Sequence, residues 1–252
     1  MLDFLQLTQD YYTNGYVGGM GFSSGGSLLL MGAIAILGYI VQARLQSVFA
    51  KYSQVAFPNG MTGAEVAEKM LRDNNVHNVK ITHVAGQLTD HFNPANMTVN
   101  LSDSVYSSRS IAAAAVACHE CGHAIQHAEG YFPIRLRGAL VPVTNFASKT
   151  SWLLIMIGAL ITAFAYDSNI GYYALLAGIG LFAVTTLFQL VTLPCEFNAS
   201  RRAMAALRAT GYYTDEELDG ARKVLRAAAM TYVAALAVSL LQILRLVILS
   251  NS

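Results

Sequence analysis

Charge is what this chain has least of. Asp, Glu, Lys and Arg make up 12% of its 252 residues, while 54% are hydrophobic. An ordinary soluble domain carries about 25% charged residues. The deficit argues against a solvated globular chain and points to a membrane protein. Charge of one sign is missing as well. The net charge of +1 offers nothing for nucleic acid or a strongly acidic partner to bind. Cysteine is scarce: Cys118, Cys121 and Cys195 are an odd set at spacings that make no disulfide framework. They read as reduced thiols in apolar surroundings. Lys and Arg are absent from Met1 to Ser27, and the Gly/Tyr-rich stretch there precedes the first apolar run, so this start is not a secretory signal. No internal repeat and no low-complexity linker is present.

What is present, first, is apolar runs long enough to consider as membrane crossings. They extend from Ser27 to about Ala43, Ser151 to Tyr166, Gly171 to Leu193, and about Ala227 to Leu249. A crossing needs roughly 17–25 residues, so the second run is expected to begin before Ser151 despite Lys149. Only Asp167–Ile170 separates the second and third, which reads as a membrane hairpin. Of the 16 Lys and Arg, fifteen lie in two blocks, Arg44–Lys149 and Arg201–Arg226. Positive-rich segments stay cytoplasmic. The expectation is four spans with both termini outside and both charged blocks in the cytoplasm. The remaining cation, Arg245, is expected to snorkel from the fourth run to the outer interface.

The chain is therefore expected to divide into an extracytoplasmic segment 1–26 and a first transmembrane helix 27–48. A juxtamembrane α+β domain 49–150 and a transmembrane hairpin 151–193 follow. Cytoplasmic helices 194–226 and a last transmembrane helix 227–252 complete it. The fold class is a mainly α membrane protein with about four transmembrane helices and a small α+β domain. Within that domain, Thr62-Gly-Ala-Glu65 is a capping box that starts a helix, whose apolar face carries Ala64, Ala67, Met70 and Leu71. Val79–Val84 reads as a strand, and Met97–Ser102 alternates apolar and polar as a half-buried strand does. Ile111–Ala128 is alanine-rich and free of proline, a strong helix. A second capping box, Thr214-Asp-Glu-Glu217, starts a helix expected to run on into the fourth span.

The Ile111–Ala128 helix carries His119-Glu120-Cys-Gly-His123, an H-E-x-x-H motif. Residues four apart share a helix face, so both imidazoles can reach one ion. Catalytic zinc takes three protein ligands and keeps a fourth position for water, whose pKa it lowers towards about 7. Glu120, beside the first ligand, can take that water's proton. The motif also occurs by chance, but here it sits in a strong helix behind small residues that permit close packing.

A third ligand must come from elsewhere. His127 lies two turns from His119 and drifts about 80° off the face. The longer H-E-x-x-H-x-x-G-x-x-H pattern fails, because Gln126 and Glu129 occupy its Gly and His positions; Glu129 stays a weaker candidate. Glu196 is the better one, at the end of the third apolar run, where an unpaired carboxylate would be costly. Its alternative partner is Arg201 or Arg202.

The chain resembles the YugP-like family of bacterial membrane zinc metallopeptidases and, more distantly, the HtpX and CAAX-prenyl-protease group of gluzincins. The residues that carry the resemblance include Gly60-Met-Thr-Gly-Ala-Glu65, Leu88-Thr-Asp-His-Phe-Asn-Pro94, His119-Glu-Cys-Gly-His-Ala-Ile-Gln126 and Glu196-Phe-Asn-Ala-Ser-Arg-Arg202. The resemblance implies a zincin-like peptidase domain on the cytoplasmic side of the bacterial inner membrane. It implies one zinc per chain bound by His119, His123 and Glu196, with Glu120 catalytic. The partners would be the lipid bilayer and protein or peptide substrates. In the HtpX group an Asp four residues after the ligand glutamate supports a ligand histidine; this chain has Ser200 there. In related zincins an edge strand ahead of the metal helix holds extended substrate. That expectation falls here on Met97, Thr98, Val99, Asn100, Leu101 and Ser102.

His77, His83 and His91 read as ordinary surface or core histidines. His127 is a candidate for supporting a ligand. Tyr232, Arg201 and Arg202 are candidates for stabilising charge on the substrate carbonyl. Two other functions compete with a juxtamembrane endopeptidase cutting membrane-associated or misfolded proteins. One is a non-enzymatic membrane scaffold with structural zinc, for which Glu120 would have no use. The other is an intramembrane protease of the site-2 kind, whose H-E-x-x-H lies in a span with an aspartate ligand. The polar stretch from Ser102 to Ser110 and the glutamate ligand favour a site outside the bilayer.

Overall fold

The computed structural model of the chain describes residues 25–58, 60–164 and 169–250. The expected extracytoplasmic segment up to residue 24, most of the hairpin turn and the last two residues lie outside the described residues. The elements in order are α1 (Gly25–Ser53), α2 (Gly63–Asp73), β1 (Lys80–Val84), β2 (His91–Asn93) and β3 (Thr98–Ser102). After them come α3 (Ile111–Ala128), α4 (Phe132–Phe164), α5 (Asn169–Ala209) and α6 (Asp215–Ser250). This is a mainly α membrane protein with a small α+β domain. Among the described residues four helices, α1, α4, α5 and α6, are long and apolar enough to cross a membrane.

Local chemistry starts the helices where the sequence says it should. The Thr62 hydroxyl accepts from the Glu65 N–H, and the Glu65 carboxylate accepts from the Thr62 N–H at 2.7 Å. The reciprocal pair of Thr214 and Glu217 starts α6 in the same way. Ser110 caps α3 by accepting from the Ala113 N–H.

Three boundaries differ from expectation. α1 reaches Ser53 rather than 48. α4 begins at Phe132, well ahead of 151, so the expected α+β domain ends near Gly130, whose φ of 66° turns the chain between α3 and α4. α5 continues through Leu193 to Ala209 as one helix despite Pro194, so residues 194–209 extend the second hairpin helix. At 1.5 Å per residue its 41 residues reach ~60 Å, twice a hydrocarbon core of ~30 Å. One end of α5 must therefore stand outside the bilayer, and the end past Leu193 carries Arg201, Arg202 and Arg208. Arg245 is also corrected: it is buried against protein, 8% exposed, and does not snorkel.

The two hairpin helices touch through glycines. A methyl group at Gly158 would fall 2.6 Å from the Leu175 nitrogen, and one at Gly178 would fall 2.9 Å from the Ile155 nitrogen. Small residues thus set an antiparallel register by letting the backbones meet.

The sheet has the order β1-β3-β2, with β3 parallel to β1 and antiparallel to β2. The strand expected at an edge, Met97–Ser102, is therefore the centre. Its residues Thr98 to Ser102 are all buried, and Met97 precedes the strand with a φ of 52°. Substrate cannot add to a strand paired on both sides. The sequence misled because β2 is three residues long, too short to show a period, while alternation in β3 looked half-buried. α3 lies beneath the sheet and is buried from Ile111 to Gln126; its alanines allow α2, α5 and α6 to pack closely around it.

Candidate metal centre

On α3, His119 and His123 stand one turn apart with their rings edge to face, centroids 4.8 Å apart. α5 brings in Glu196, whose Oε2 lies 3.1 Å from His119 Nε2 and 3.6 Å from His123 Nε2. All three side chains are buried, and one donor atom from each lies within 4.8 Å of the others, a group able to hold a metal ion.

The approach of the two helices depends on Gly122. A methyl group there would fall 2.9 Å from the Ala199 carbonyl oxygen and 3.0 Å from its Cα. Ala199 lies between Glu196 and Ser200, so this contact sets how near both come to His119. Gly122→Ala is expected to push α5 away, to cost about 1–3 kcal/mol as overpacking does, and to lower metal retention. Thermal unfolding and metal content after dialysis check it; an unchanged value for both would refute the close-approach role.

The other nitrogen of each imidazole is held. His123 Nδ1 lies 3.1 Å from Gln126 Oε1. The Gln126 amide nitrogen donates to the Cys195 carbonyl at 2.8 Å and to Asn198 Oδ1 at 2.9 Å. Those acceptors fix the amide's orientation, so its oxygen faces His123 and Nδ1 must donate. The lone pair of His123 is thereby left on Nε2, towards Glu196. His119 Nδ1 meets the Ser200 hydroxyl at 3.2 Å, so the residue standing where the related group has Asp does touch a histidine. Tyr232, buried on α6, hydrogen-bonds the Glu196 carboxylate.

Glu120 is 1% exposed. Its Oε2 accepts from the Phe92 N–H of β2 at 3.2 Å, while its Oε1 is buried with no hydrogen-bond partner among the described residues. A buried carboxylate oxygen left so is costly, and a donor held in the site would relieve it. Two imidazole nitrogens and a carboxylate oxygen are a donor set zinc accepts. The residues therefore fit zinc, with a proton acceptor beside it. Electrostatics here favour positive charge. Burial pushes the His119 imidazole down, but the Glu196 and Glu120 carboxylates outweigh it and hold it above its ordinary value. Nearby, Asp90 is fully buried and accepts from the Ser102 N–H at 2.7 Å and hydroxyl at 3.0 Å. Burial, with the Glu120 charge adding to it, pushes its carboxyl up to about 6.

Other expected residues fall elsewhere. His127 is exposed, its ring 5.7 Å from that of Phe92. Arg202 makes a two-pronged pair with Glu129 at 2.6 and 3.0 Å, which occupies both and ties α5 to the end of α3. Arg201 is exposed. Gln126, Asn198, Asp90 and β2 lie inside the strings that carry the resemblance, but the sequence assigns them no role in the site. Gln126 was detectable in principle, since three residues after His123 is the same helix face.

Fold and site define a helical membrane protein whose H-E-x-x-H helix and a distant glutamate together form a three-donor group for a metal. The chain belongs to the family described as "Putative neutral zinc metallopeptidase", whose model matches residues 27–251. It is 44% identical over 224 residues to the "Putative membrane protease YugP" of Bacillus subtilis (strain 168), covering 88% of this chain and 96% of that protein. No solved structure matches.

Proposed function

We propose that this protein is a zinc endopeptidase that hydrolyses peptide bonds of membrane-associated or misfolded proteins near the cytoplasmic face. His119, His123 and Glu196 hold one zinc per chain, and Glu120 is the general base. The observation that carries this is the convergence of three buried donors within 4.8 Å, beside a carboxylate oxygen with no partner among the described residues. Zinc, when bound, acidifies water and polarises a carbonyl. Glu120 Oε1 takes a proton from the attacking water as the water oxygen bonds to the carbonyl carbon and the C=O electron pair moves onto its oxygen. Collapse breaks the C–N bond, and Glu120 returns the proton to the leaving nitrogen. The Phe92 N–H holds the other carboxylate oxygen throughout, so the base does not swing away. Among the described residues β2 pairs only with β3, and its outer edge is where the Phe92 N–H meets Glu120.

The charged blocks and the length of α5 support a site just outside the bilayer on the cytoplasmic side. The alternatives explain less. A structural zinc site has no use for Glu120, and α3, with two histidines and a glutamate along its middle, is not among the helices of the described residues that are long and apolar enough to cross a membrane, as a site-2 arrangement would require. The test is reconstitution. Treating detergent-solubilised protein with 1,10-phenanthroline should abolish cleavage of β-casein, and zinc at one equivalent per chain should restore it. Cleavage indifferent to the chelator would overturn the proposal.

A further inference from the structure

A cation beside this centre has no role so far. The antiparallel register of α4 and α5 sets Thr162 against Gly171, Gly158 against Leu175, and Ile155 against Gly178. Leu140 and Leu193 continue it, both packing on the cluster of Phe188, Tyr232 and Ala235. One turn further, the same register brings Arg137 of α4 level with Glu196 of α5. Arg137 and Leu140 are three residues apart and share a helix face, so the face of α4 turned to Tyr232 is the one that carries the guanidinium. Arg137 is half-buried; its Nε is buried and has no hydrogen-bond partner among the described residues.

A guanidinium keeps its charge at any ordinary pH and only donates. Burying one of its N–H groups without an acceptor is unfavourable. A fixed donor held in a water-poor site is what stabilises an oxygen that gains negative charge during reaction. The sequence offers Tyr232, Arg201 and Arg202 for that group; α5 directs Arg201 to solvent and Arg202 to Glu129, and Tyr232 is buried against Glu196.

We propose that Arg137 is a substrate-binding catalytic residue, whose guanidinium donates to the scissile carbonyl oxygen and holds the negative charge that oxygen gains. This rests on the peptidase reading above. Arg137 keeps all its protons: water's proton goes to Glu120, and the electron pair leaving the C=O bond is what the guanidinium meets.

The test uses the full-length, zinc-loaded protein with Arg137→Met and Arg137→Lys. Two probes are read, β-casein cleavage and the affinity of a phosphinic peptide, which presents a tetrahedral anion. Arg137→Met should lower kcat about 10²–10³-fold with a smaller change in KM. It should weaken phosphinic peptide binding by a similar factor and leave zinc content and Tm unchanged. Arg137→Lys, keeping charge without the fork, should recover part of both. Variants that bind the phosphinic peptide and cut casein within twofold of wild type overturn the proposal. If Arg137→Met loses its fold or its zinc, Arg137→Lys decides by the same comparison with zinc retained. Wild-type protein that neither cuts casein nor binds the phosphinic peptide would instead sink the peptidase reading, a different failure.

Discussion

Glu120→Gln should keep the protein folded with one zinc per chain and lower casein cleavage at least about 10²–10⁴-fold, the contribution of a positioned general base. The substitution is nearly isosteric. The amide oxygen can still accept from the Phe92 N–H, which now meets Oε2 at 3.2 Å. The position of Oε1, buried and without a partner among the described residues, receives an NH2 that cannot take a proton. The oxygen replaced is one that has no hydrogen-bond partner among the described residues, so thermal stability should not fall. Chemistry and stability therefore part company here, which is not expected of a residue kept for packing. Metal analysis, thermal unfolding and cleavage on one preparation check this, and cleavage at the wild-type rate would end the assignment of Glu120 as base.

Glu196→Ala acts one step earlier. It removes the oxygen that lies 3.1 Å and 3.6 Å from the two imidazole nitrogens and leaves only two donors, both from one turn of α3. Zinc affinity should fall by more than the ~10–100-fold that loss of a residue merely supporting a ligand costs, and activity should fall with it. His127→Ala is the matched comparison. His127 is exposed on the same helix and outside the donor group, so its loss should leave zinc at one per chain. The reverse pattern, zinc kept in Glu196→Ala and lost in His127→Ala, would show the third ligand to be misassigned. Both variants are read by metal content after dialysis, independently of any substrate.

Elements that depend on near neighbours in the chain were legible. The capping boxes at Thr62 and Thr214, the cap at Ser110, the alanine-rich metal helix and the four apolar runs each rest on contacts three or four residues apart, or on composition alone. The pairing of His119 with His123 belongs to this group, because a helix period fixes it. Glu196 was reached by a different route. Its place at the end of an apolar run made it costly to leave unpaired, and the family resemblance supplied the rest.

By itself, then, the sequence determined a helical membrane protein with two histidines and a glutamate on one helix, because side-chain period and hydrophobic length are local quantities. Tertiary structure alone decided that β3 is central and β2 the edge, since strand order depends on which segments meet and a three-residue strand has no readable period. It decided that Gln126 and Ser200 meet the His123 and His119 imidazoles and that Arg202 turns to Glu129. It also set the register of α4 against α5, with Gly158 against Leu175 and Ile155 against Gly178. That last pairing follows from glycines letting two long helices lie backbone to backbone, which sets a register that neither helix carries alone.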